Sequence, residues 1–140
     1  MVLSKPATEE PKAFFLKMTA DYYRYQAEIT KDARHDGFKN EAKKAYEEAN
    51  VIEMPPCSPI KLGLALNFSV FYYEIFKDPK KACEIADLAL NAALERIDDL
   101  GEEEFRDAKS IIELMKENLA LWKEECHYES VPEKEQWFNS

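Results

Sequence analysis

Apolar residues recur at steps of three and four in five stretches of this chain, the spacing that places them on one face of a helix. Prolines, glycines and capping residues separate the stretches. The pattern predicts helices at about residues 11–30, 38–53, 59–76, 79–100 and 102–125, with a turn-rich loop at 32–40 around Asp36-Gly37. Because short connections join long helices, neighbouring helices should run antiparallel. The predicted fold class is therefore all-α, an antiparallel helical array of five helices.

The most apolar stretch, residues 59–76, is predicted to be the helix around which the others pack. Ser58 and Pro59 are typical of an N-cap followed by proline at the first helical position, and Asp78 and Pro79 repeat this signal at the start of the next helix. One face carries large apolar residues for the core: Ile60, Leu64, Phe68, Phe71 and Ile75. A second face carries Gly63, Asn67, Val70 and Glu74. Such a helix is expected to be buried on one side and to face a groove on the other. A core helix with a satisfied amide fits the same pattern.

The first and fifth helices also carry unusual faces. The first has an apolar stripe of Phe14, Met18, Tyr22, Tyr25 and Ile29. Beside it lies a charged stripe of Lys17, Asp21, Arg24 and Glu28. The fifth has a core stripe of Ile112, Met115, Leu119 and Trp122. Next to that stripe lies a second one, interrupted by an asparagine: Ile111, Leu114, Asn118 and Leu121. This extra stripe predicts a face that needs an apolar partner.

The second and fourth helices have ordinary inward faces that are rich in alanine, which permits close approach between helices. In the second helix the predicted inward residues are Ala42, Ala45, Tyr46, Ala49 and Ile52. In the fourth they are Ala82, Ile85, Ala86, Ala89, Ala93 and Ile97.

Taken together, the unusual faces describe an amphipathic groove. Arg24 offers paired N–H donors to a phosphate or carboxylate, and the Tyr25 hydroxyl adds a third donor. Asn67 and Asn118 each offer a donor and an acceptor, which suits an extended peptide backbone. The alternative is that Lys17 and its charged neighbours form a surface row of ion pairs, which contributes little stability.

Composition narrows the functional classes. The chain has 140 residues and a formal net charge of −9, which argues against non-specific binding to nucleic acid or to an anionic membrane. No stretch is predicted to span a bilayer or to act as a signal peptide. The three cysteines lack metal-ligand spacing, so a reduced, cytoplasmic protein is expected. We expect a lead-in at residues 1–10, one helical domain at 11–125 and a flexible tail at 126–140.

Catalytic chemistry has little support in the sequence. The two histidines, His35 and His127, fall in a predicted loop and in the predicted tail. Glu124 and His127 form one E-x-x-H pair, whereas a di-iron bundle needs two such pairs and two further glutamates. No glycine-rich phosphate loop is present. The sequence therefore predicts a protein that is not an enzyme and that needs no metal or cofactor.

Three segments resemble the 14-3-3 family. They are KMTADYYRYQAEI at residues 17–29, LGLALNFSVFYYEI at 62–75 and ENLALW at 117–122. The similarity extends over about residues 14–122. It implies an all-helical adaptor that binds phosphoserine or phosphothreonine peptides, with phosphorylated proteins as partners.

The resemblance also implies roles for individual residues. Arg24 and Tyr25 match the pair that grips the phosphate, with Lys17 as a further basic residue. Asn67 and Asn118 match the asparagines that hold the peptide backbone. The remaining groove positions are Gly63, Leu66, Val70, Glu74, Ile111, Leu114, Leu121 and Trp122.

The chain departs from the family pattern in one respect that affects function. The family fold has nine helices, and this sequence matches the last five. In the family, the first four helices form the dimer interface, and the third supplies a further lysine and arginine to the phosphate pocket. Phosphopeptide binding is therefore expected to be weakened. The uncovered apolar surface predicts self-association or a covering partner, so the alternative function is a self-associating helical module without phosphate-dependent binding.

Overall fold

A computed structural model describes residues 10–126, which form five α-helices and no strand. The helices are α1 (Glu10–Ile29), α2 (Arg34–Asn50), α3 (Pro59–Glu74), α4 (Pro79–Arg96) and α5 (Glu102–Cys126). A 3-10 turn, Ile97–Asp99, follows α4. The predicted all-α class is confirmed. Most of the predicted lead-in (1–10) and tail (126–140) lies outside the described residues.

The predicted caps of the two central helices are confirmed. The Ser58 hydroxyl accepts a hydrogen bond from the Lys61 N–H at 3.4 Å, and Pro59 begins α3. The Asp78 carboxylate accepts from the Lys81 N–H at 3.1 Å, and Pro79 begins α4. Each side chain satisfies a backbone donor that the first helical turn leaves free.

The loop predicted at residues 32–40 is wrong, because α2 already begins at Arg34. The Asp32 carboxylate accepts from the Arg34 N–H at 2.9 Å and so satisfies one donor at the start of the helix. Gly37 lies inside α2 without a positive φ angle. At its other end α2 stops at Asn50, so Ile52 lies beyond the helix and is only half-buried.

The central helix α3 buries two sides rather than one. Leu64, Phe68 and Phe71 pack with alanines and Tyr46 in a cluster shared with α1 and α2. On the opposite side, Leu62 and Leu66 pack into a second cluster shared with α4 and α5. The face of Gly63, Asn67, Val70 and Glu74 remains partly open. The helix is therefore buried between two helix pairs, with a single polar line toward solvent.

The apolar stripe predicted on α1 points away from the core. Its members, Phe14, Met18, Tyr22, Tyr25 and Ile29, are between 48% and 72% exposed. The buried residues of α1 are instead Ala13, Ala20, Arg24 and Ala27. They pack α1 closely against α2, whose predicted inward residues Ala42, Ala45, Tyr46 and Ala49 are also buried. The large side chains are thus left uncovered in the described part of the chain.

The two stripes of α5 separate as predicted. Ile112, Met115, Leu119 and Trp122 are buried against α3 and α4. In the second stripe, Leu114 and Leu121 are exposed, whereas Ile111 and Asn118 are partly buried. No helix in residues 10–126 is long and apolar enough to cross a membrane.

Candidate functional site

The predicted site residues lie on three helices, α1, α3 and α5. The helix α3 contacts both α1 and α5, and it presents its partly open polar line on the face that bears Asn67. Lys17, Arg24 and Tyr25 come from α1, and Asn118 comes from α5. The fold therefore supplies a floor with one helix on each side.

Asp21 organises the part of the site between α1 and α3. One carboxylate oxygen accepts from the Lys17 ammonium at 3.0 Å and from the Asn67 amide nitrogen at 3.1 Å. The other oxygen accepts a short hydrogen bond from the Tyr46 hydroxyl. Two predicted site residues on separate helices are thus brought together by a carboxylate that lies between them.

Arg24 is anchored at its Nε atom, whereas its terminal nitrogens make longer contacts. Its Nε donates to the Tyr46 hydroxyl at 3.1 Å, and its side chain is only 8% exposed. The terminal nitrogens lie farther from their carboxylate partners, at 3.4 Å from Glu28, 3.8 Å from Asp21 and 4.0 Å from Glu74. Only the first of these is short enough for a hydrogen bond. The guanidinium is therefore fixed in place while its outer edge keeps donor capacity.

Tyr25 lies beside this guanidinium on the exposed side of α1. The Arg24 guanidinium carbon is 4.8 Å from the centre of the Tyr25 ring, a cation–π contact. The Tyr25 side chain is exposed, so the phenol reaches solvent next to the guanidinium edge. Arg24 and Tyr25 together offer neighbouring donors to an anion.

Burial and neighbouring charges decide the protonation states. Burial by itself lowers the pKa of Arg24, but the interactions with Tyr46 and Asp21 outweigh burial and raise it, so Arg24 is a permanent cation. Burial and the adjacent Asp21 carboxylate raise the pKa of Tyr46. Tyr46 therefore stays a neutral phenol, which accepts from Arg24 and donates to Asp21.

Acidic groups outnumber the cations at this site. Lys17 and Arg24 face three carboxylates, Asp21, Glu28 and Glu74, which leaves a formal charge of −1 if all are ionised. Burial, then the hydrogen bond and repulsion from Glu28, raise the pKa of Glu74, although Arg24 and Lys77 act in the opposite direction. An incoming anion must displace Glu28 and Glu74 before it can bind the Arg24 guanidinium.

Gly63 of α3 lies beside the Lys17 side chain of α1. A Cβ at this position would meet the Lys17 Cε at 3.5 Å, which is ordinary van der Waals contact. A larger side chain would push the Lys17 stem away from α3. Asn67, one turn further on, uses its amide nitrogen on Asp21 and keeps its carbonyl oxygen as an acceptor.

The side formed by α5 is apolar and half open. Leu114 and Leu121 are exposed, whereas Leu66 and Trp122 are buried in the core below them. The Trp122 ring stacks on Tyr73 with centroids 5.1 Å apart, which fixes the end of α5 on α3. Leu66 and Trp122 thus support the wall from below, and the exposed leucines form its surface.

Sequence reasoning missed the organising roles of Asp21 and Tyr46. The position of Asp21, four residues after Lys17, signals an ion pair, but nothing local signals its bond to Asn67. Tyr46 was predicted to point inward, and it does so, yet its hydroxyl joins Asp21 and Arg24 from another helix. Only the packing of α2 on α1 reveals that contact.

Metal ligands are not clustered in the described part of the chain, where no group of three or more His, Cys, Asp or Glu side chains is placed to hold an ion. The His35 ring nitrogen Nδ1 lies 2.9 Å from the Ala27 carbonyl and 3.2 Å from that of Thr30. This histidine links α2 to the end of α1. His127 lies outside the described residues.

Comparison with known proteins places this helical array in one family. A family model described as "14-3-3 protein" matches residues 1–123. A 14-3-3 protein homolog of Encephalitozoon cuniculi is 48% identical over 115 residues, which cover 81% of this chain and 45% of the relative. The 14-3-3 protein zeta of Bombyx mori is 44% identical over 124 residues, covering 86% and 50%. The 14-3-3-like protein B of Hordeum vulgare is 48% identical over 116 residues, covering 81% and 44%.

The chain therefore belongs to the 14-3-3 family. The match begins before the first segment that carries the resemblance and ends at Lys123, in the last turn of α5. The chain spans about half the length of these curated relatives.

Proposed function

We propose that this chain is a non-enzymatic adaptor of 14-3-3 type that binds phosphoserine or phosphothreonine peptides of partner proteins. The phosphate is received by Arg24 and Tyr25, with Lys17 nearby, and the peptide backbone by Asn67 and Asn118. Leu114 and Leu121 form the exposed apolar wall. The carrying observation is the geometry of Arg24, whose Nε is anchored on Tyr46 at 3.1 Å while its terminal nitrogens are loosely held at 3.4–4.0 Å.

The local charge supports weak rather than tight binding. A phosphate brings about −1.5 to −2 charges to a site that already has one more carboxylate than cations. Each charge-assisted hydrogen bond contributes roughly 1.5–3 kcal/mol, which amounts to about one to two orders of magnitude in affinity per bond. Two such bonds, to Arg24 and Tyr25, would offset the displacement of Glu28 and Glu74 and leave a modest net affinity.

The test is a titration that separates phosphate-dependent from general peptide binding. A labelled R-x-x-pS-x-P peptide and its unphosphorylated twin are titrated by fluorescence anisotropy against the wild-type chain. We expect tighter binding of the phosphorylated peptide, a loss of at least tenfold in Arg24→Ala, and a smaller loss in Tyr25→Phe.

Arg34→Ala is the matched control, because Arg34 is an exposed arginine paired with Asp32 away from the site. Circular dichroism of each variant checks that the helices are intact, since Arg24 is buried and Tyr25 is not. Equal affinity for both peptides, or no binding of either, would contradict the proposal. An equal loss in Arg34→Ala would assign the effect to overall charge.

A second candidate function is self-association through α1. Phe15, Met18, Tyr22, Tyr25 and Ile29 alternate at steps of three and four, the spacing of a coiled-coil seam, and all of them are exposed. A helix with such a seam gains free energy by burying it against another helix. Because Tyr25 belongs to both surfaces, association and peptide binding would compete.

A further inference from the structure

Two of the three cysteines face each other across the α4–α5 interface. Lys123 of α5 lies 3.9 Å from the Asp87 carboxylate of α4. Cys126 follows Lys123 by three residues, and Cys83 precedes Asp87 by four. In antiparallel neighbours, one turn forward on one helix lies opposite one turn back on the other. The register therefore places Cys126 against Cys83, and Cys126 packs on the buried cluster that contains Cys83.

The two thiols differ in access. Cys83 is fully buried in the core cluster of α3, α4 and α5. Cys126 packs on the edge of the same cluster and is partly exposed, and its thiol donates to the Trp122 carbonyl at 3.3 Å. Burial and the neighbouring Cys126 raise the pKa of Cys83 to about 12. Cys126 is thus the thiol that meets a reagent first, and Cys83 is placed to react second.

The third cysteine has a different environment. Cys57 precedes α3, is buried, and donates its thiol hydrogen to the Ala93 carbonyl at 3.1 Å. Among residues 10–126, no other cysteine interacts with it. It serves as an internal reference for a buried cysteine that lacks a neighbouring thiol.

We propose that Cys83 and Cys126 are a dithiol site that a low-molecular-weight disulfide, such as oxidised glutathione, converts into an intramolecular disulfide between α4 and the last turn of α5. The inference goes beyond phosphopeptide binding and rests on the α4–α5 register alone.

The reaction balances in two exchange steps. The Cys126 thiolate attacks one sulfur of oxidised glutathione, the glutathione S–S bond breaks, and one glutathione leaves and takes up a proton. The Cys83 thiolate, having released its proton to solvent, then attacks the Cys126 sulfur, and the second glutathione leaves. The two protein thiols are oxidised, and one glutathione disulfide is reduced to two thiols.

The disulfide would link the last turn of α5 covalently to α4. That turn is already held by the Trp122–Tyr73 stack and by a short hydrogen bond from the Tyr73 hydroxyl to Glu125. A covalent link at Cys126 would prevent this turn from fraying and would shrink the unfolded ensemble by closing the segment between Cys83 and Cys126. Oxidation is expected to raise Tm by about 5–15 °C.

The experiment uses the full 140-residue chain. Reduced protein is incubated with oxidised glutathione at about pH 7 and about pH 8.5, quenched with acid, alkylated with N-ethylmaleimide in denaturant, and digested for peptide mass spectrometry. We expect a Cys83–Cys126 peptide pair two hydrogens lighter than the reduced peptides, with Cys57 alkylated. Glutathione on Cys126 should appear first. Ring closure should then accelerate roughly tenfold per pH unit, because the thiolate fraction of Cys83 grows with pH.

Three variants make the result decisive. The Cys57→Ala variant should form the disulfide as the wild type does. The Cys83→Ala variant should keep a mixed disulfide between Cys126 and glutathione, because the second thiol is missing. In the Cys126→Ser variant, Cys83 should remain unmodified. The Tm increase should appear in Cys57→Ala and be lost in Cys126→Ser. The proposal is overturned if folded wild-type protein keeps glutathione on Cys126 while Cys83 remains as alkylatable as Cys57. It is equally overturned if the disulfide forms only in denaturant.

Discussion

At the scale of single residues, the site depends on how three carboxylates share two cations. Asp21 is engaged by Lys17, Asn67 and Tyr46, so its charge is well compensated. Glu74 is not, since its contact with Arg24 is 4.0 Å long and its neighbour Glu28 is also acidic. The uncompensated negative charge of the site therefore lies on the Glu28–Glu74 pair, next to the terminal nitrogens of Arg24.

This repulsion predicts an unusual pH dependence at Glu74. Its pKa is raised in the folded protein, first by burial and then by Glu28. The folded state therefore binds the proton more tightly than the unfolded state, and stability falls as pH rises from the unfolded pKa through the folded one. Glu74→Gln removes the charge, so the variant should be more stable than wild type near pH 7. The difference should shrink toward about pH 4, where wild-type Glu74 is protonated.

Urea unfolding followed by circular dichroism between about pH 4 and pH 7.5 measures this difference. Glu113→Gln is the control, because Glu113 is an exposed acid in an ordinary pair with Lys109 on α5. Parallel pH profiles for wild type and Glu74→Gln would contradict the prediction. A gain in Glu113→Gln as large as that in Glu74→Gln would point to the net charge of the protein instead.

At the scale of helices, α2 shows how a local side-chain hydrogen bond and a tertiary contact override a local turn signal. Asp36-Gly37 is typical of a turn, yet both residues lie in the first turns of α2. The Asp32 carboxylate holds the Arg34 N–H, and the His35 ring contacts the Ala27 carbonyl at the end of α1. Because of these contacts the helix begins at Arg34, before the glycine, and Gly37 lies inside it.

Replacing Gly37 with alanine should therefore stabilise the folded protein. Gly37 has no positive φ angle, and a Cβ there would meet nothing within 4 Å. Gly37→Ala is expected to raise the free energy of unfolding by about 0.5–1 kcal/mol, since alanine loses less backbone entropy in a helix. Chemical denaturation monitored at helical wavelengths measures the change.

Gly101→Ala provides the comparison for Gly37→Ala. Gly101 lies just before α5, and a Cβ there would meet Glu104 at an ordinary 3.7 Å. This variant should not raise the free energy of unfolding, because Gly101 is the N-cap of α5, where its carbonyl accepts from the Phe105 N–H at 2.9 Å and where alanine is not favoured over glycine. A loss of stability in Gly37→Ala would mean that residue 37 does not lie in the interior of a helix.

At the scale of the whole molecule, two halves share α3. The α1–α2 pair packs on one side of this helix and the α4–α5 pair on the other, each with its own buried cluster. The outer face of α1 is covered by neither pair. Its exposed seam of Phe15, Met18, Tyr22, Tyr25 and Ile29 is the surface on which association would occur.

Self-association is predicted to depend on this seam. The full chain should sediment with a mass that rises with concentration above the 16.3 kDa of one copy. Met18→Glu should shift the protein toward the single-copy mass, because burying a charge in the seam is unfavourable. Leu88→Glu is the matched control, since Leu88 is an exposed apolar residue on α4. A single-copy mass at all concentrations, or an equal effect of both variants, would rule out association through α1.

The periodicity of the sequence was enough to predict most of the architecture. Five helices, their caps at Ser58 and Asp78, and the buried stripe of α5 follow from local spacing and local hydrogen bonds. Periodicity marked the large residues of α1 as one face, but not whether a partner covers that face. Hydrophobicity alone does not distinguish a core face from an uncovered one, because the outcome depends on what packs against it.

Tertiary structure determined which residues of the candidate site contact one another. The sequence by itself identified Arg24, Tyr25, Asn67 and Asn118 as chemically suitable groups. It did not show that the Asp21 carboxylate accepts a hydrogen bond from Asn67 or that the Tyr46 hydroxyl accepts one from the Arg24 Nε. Those contacts join residues far apart in the chain, and their geometry exists only once α2 and α3 have packed against α1. Local sequence determines which helices form and which groups they carry, whereas packing between helices determines which of those groups meet.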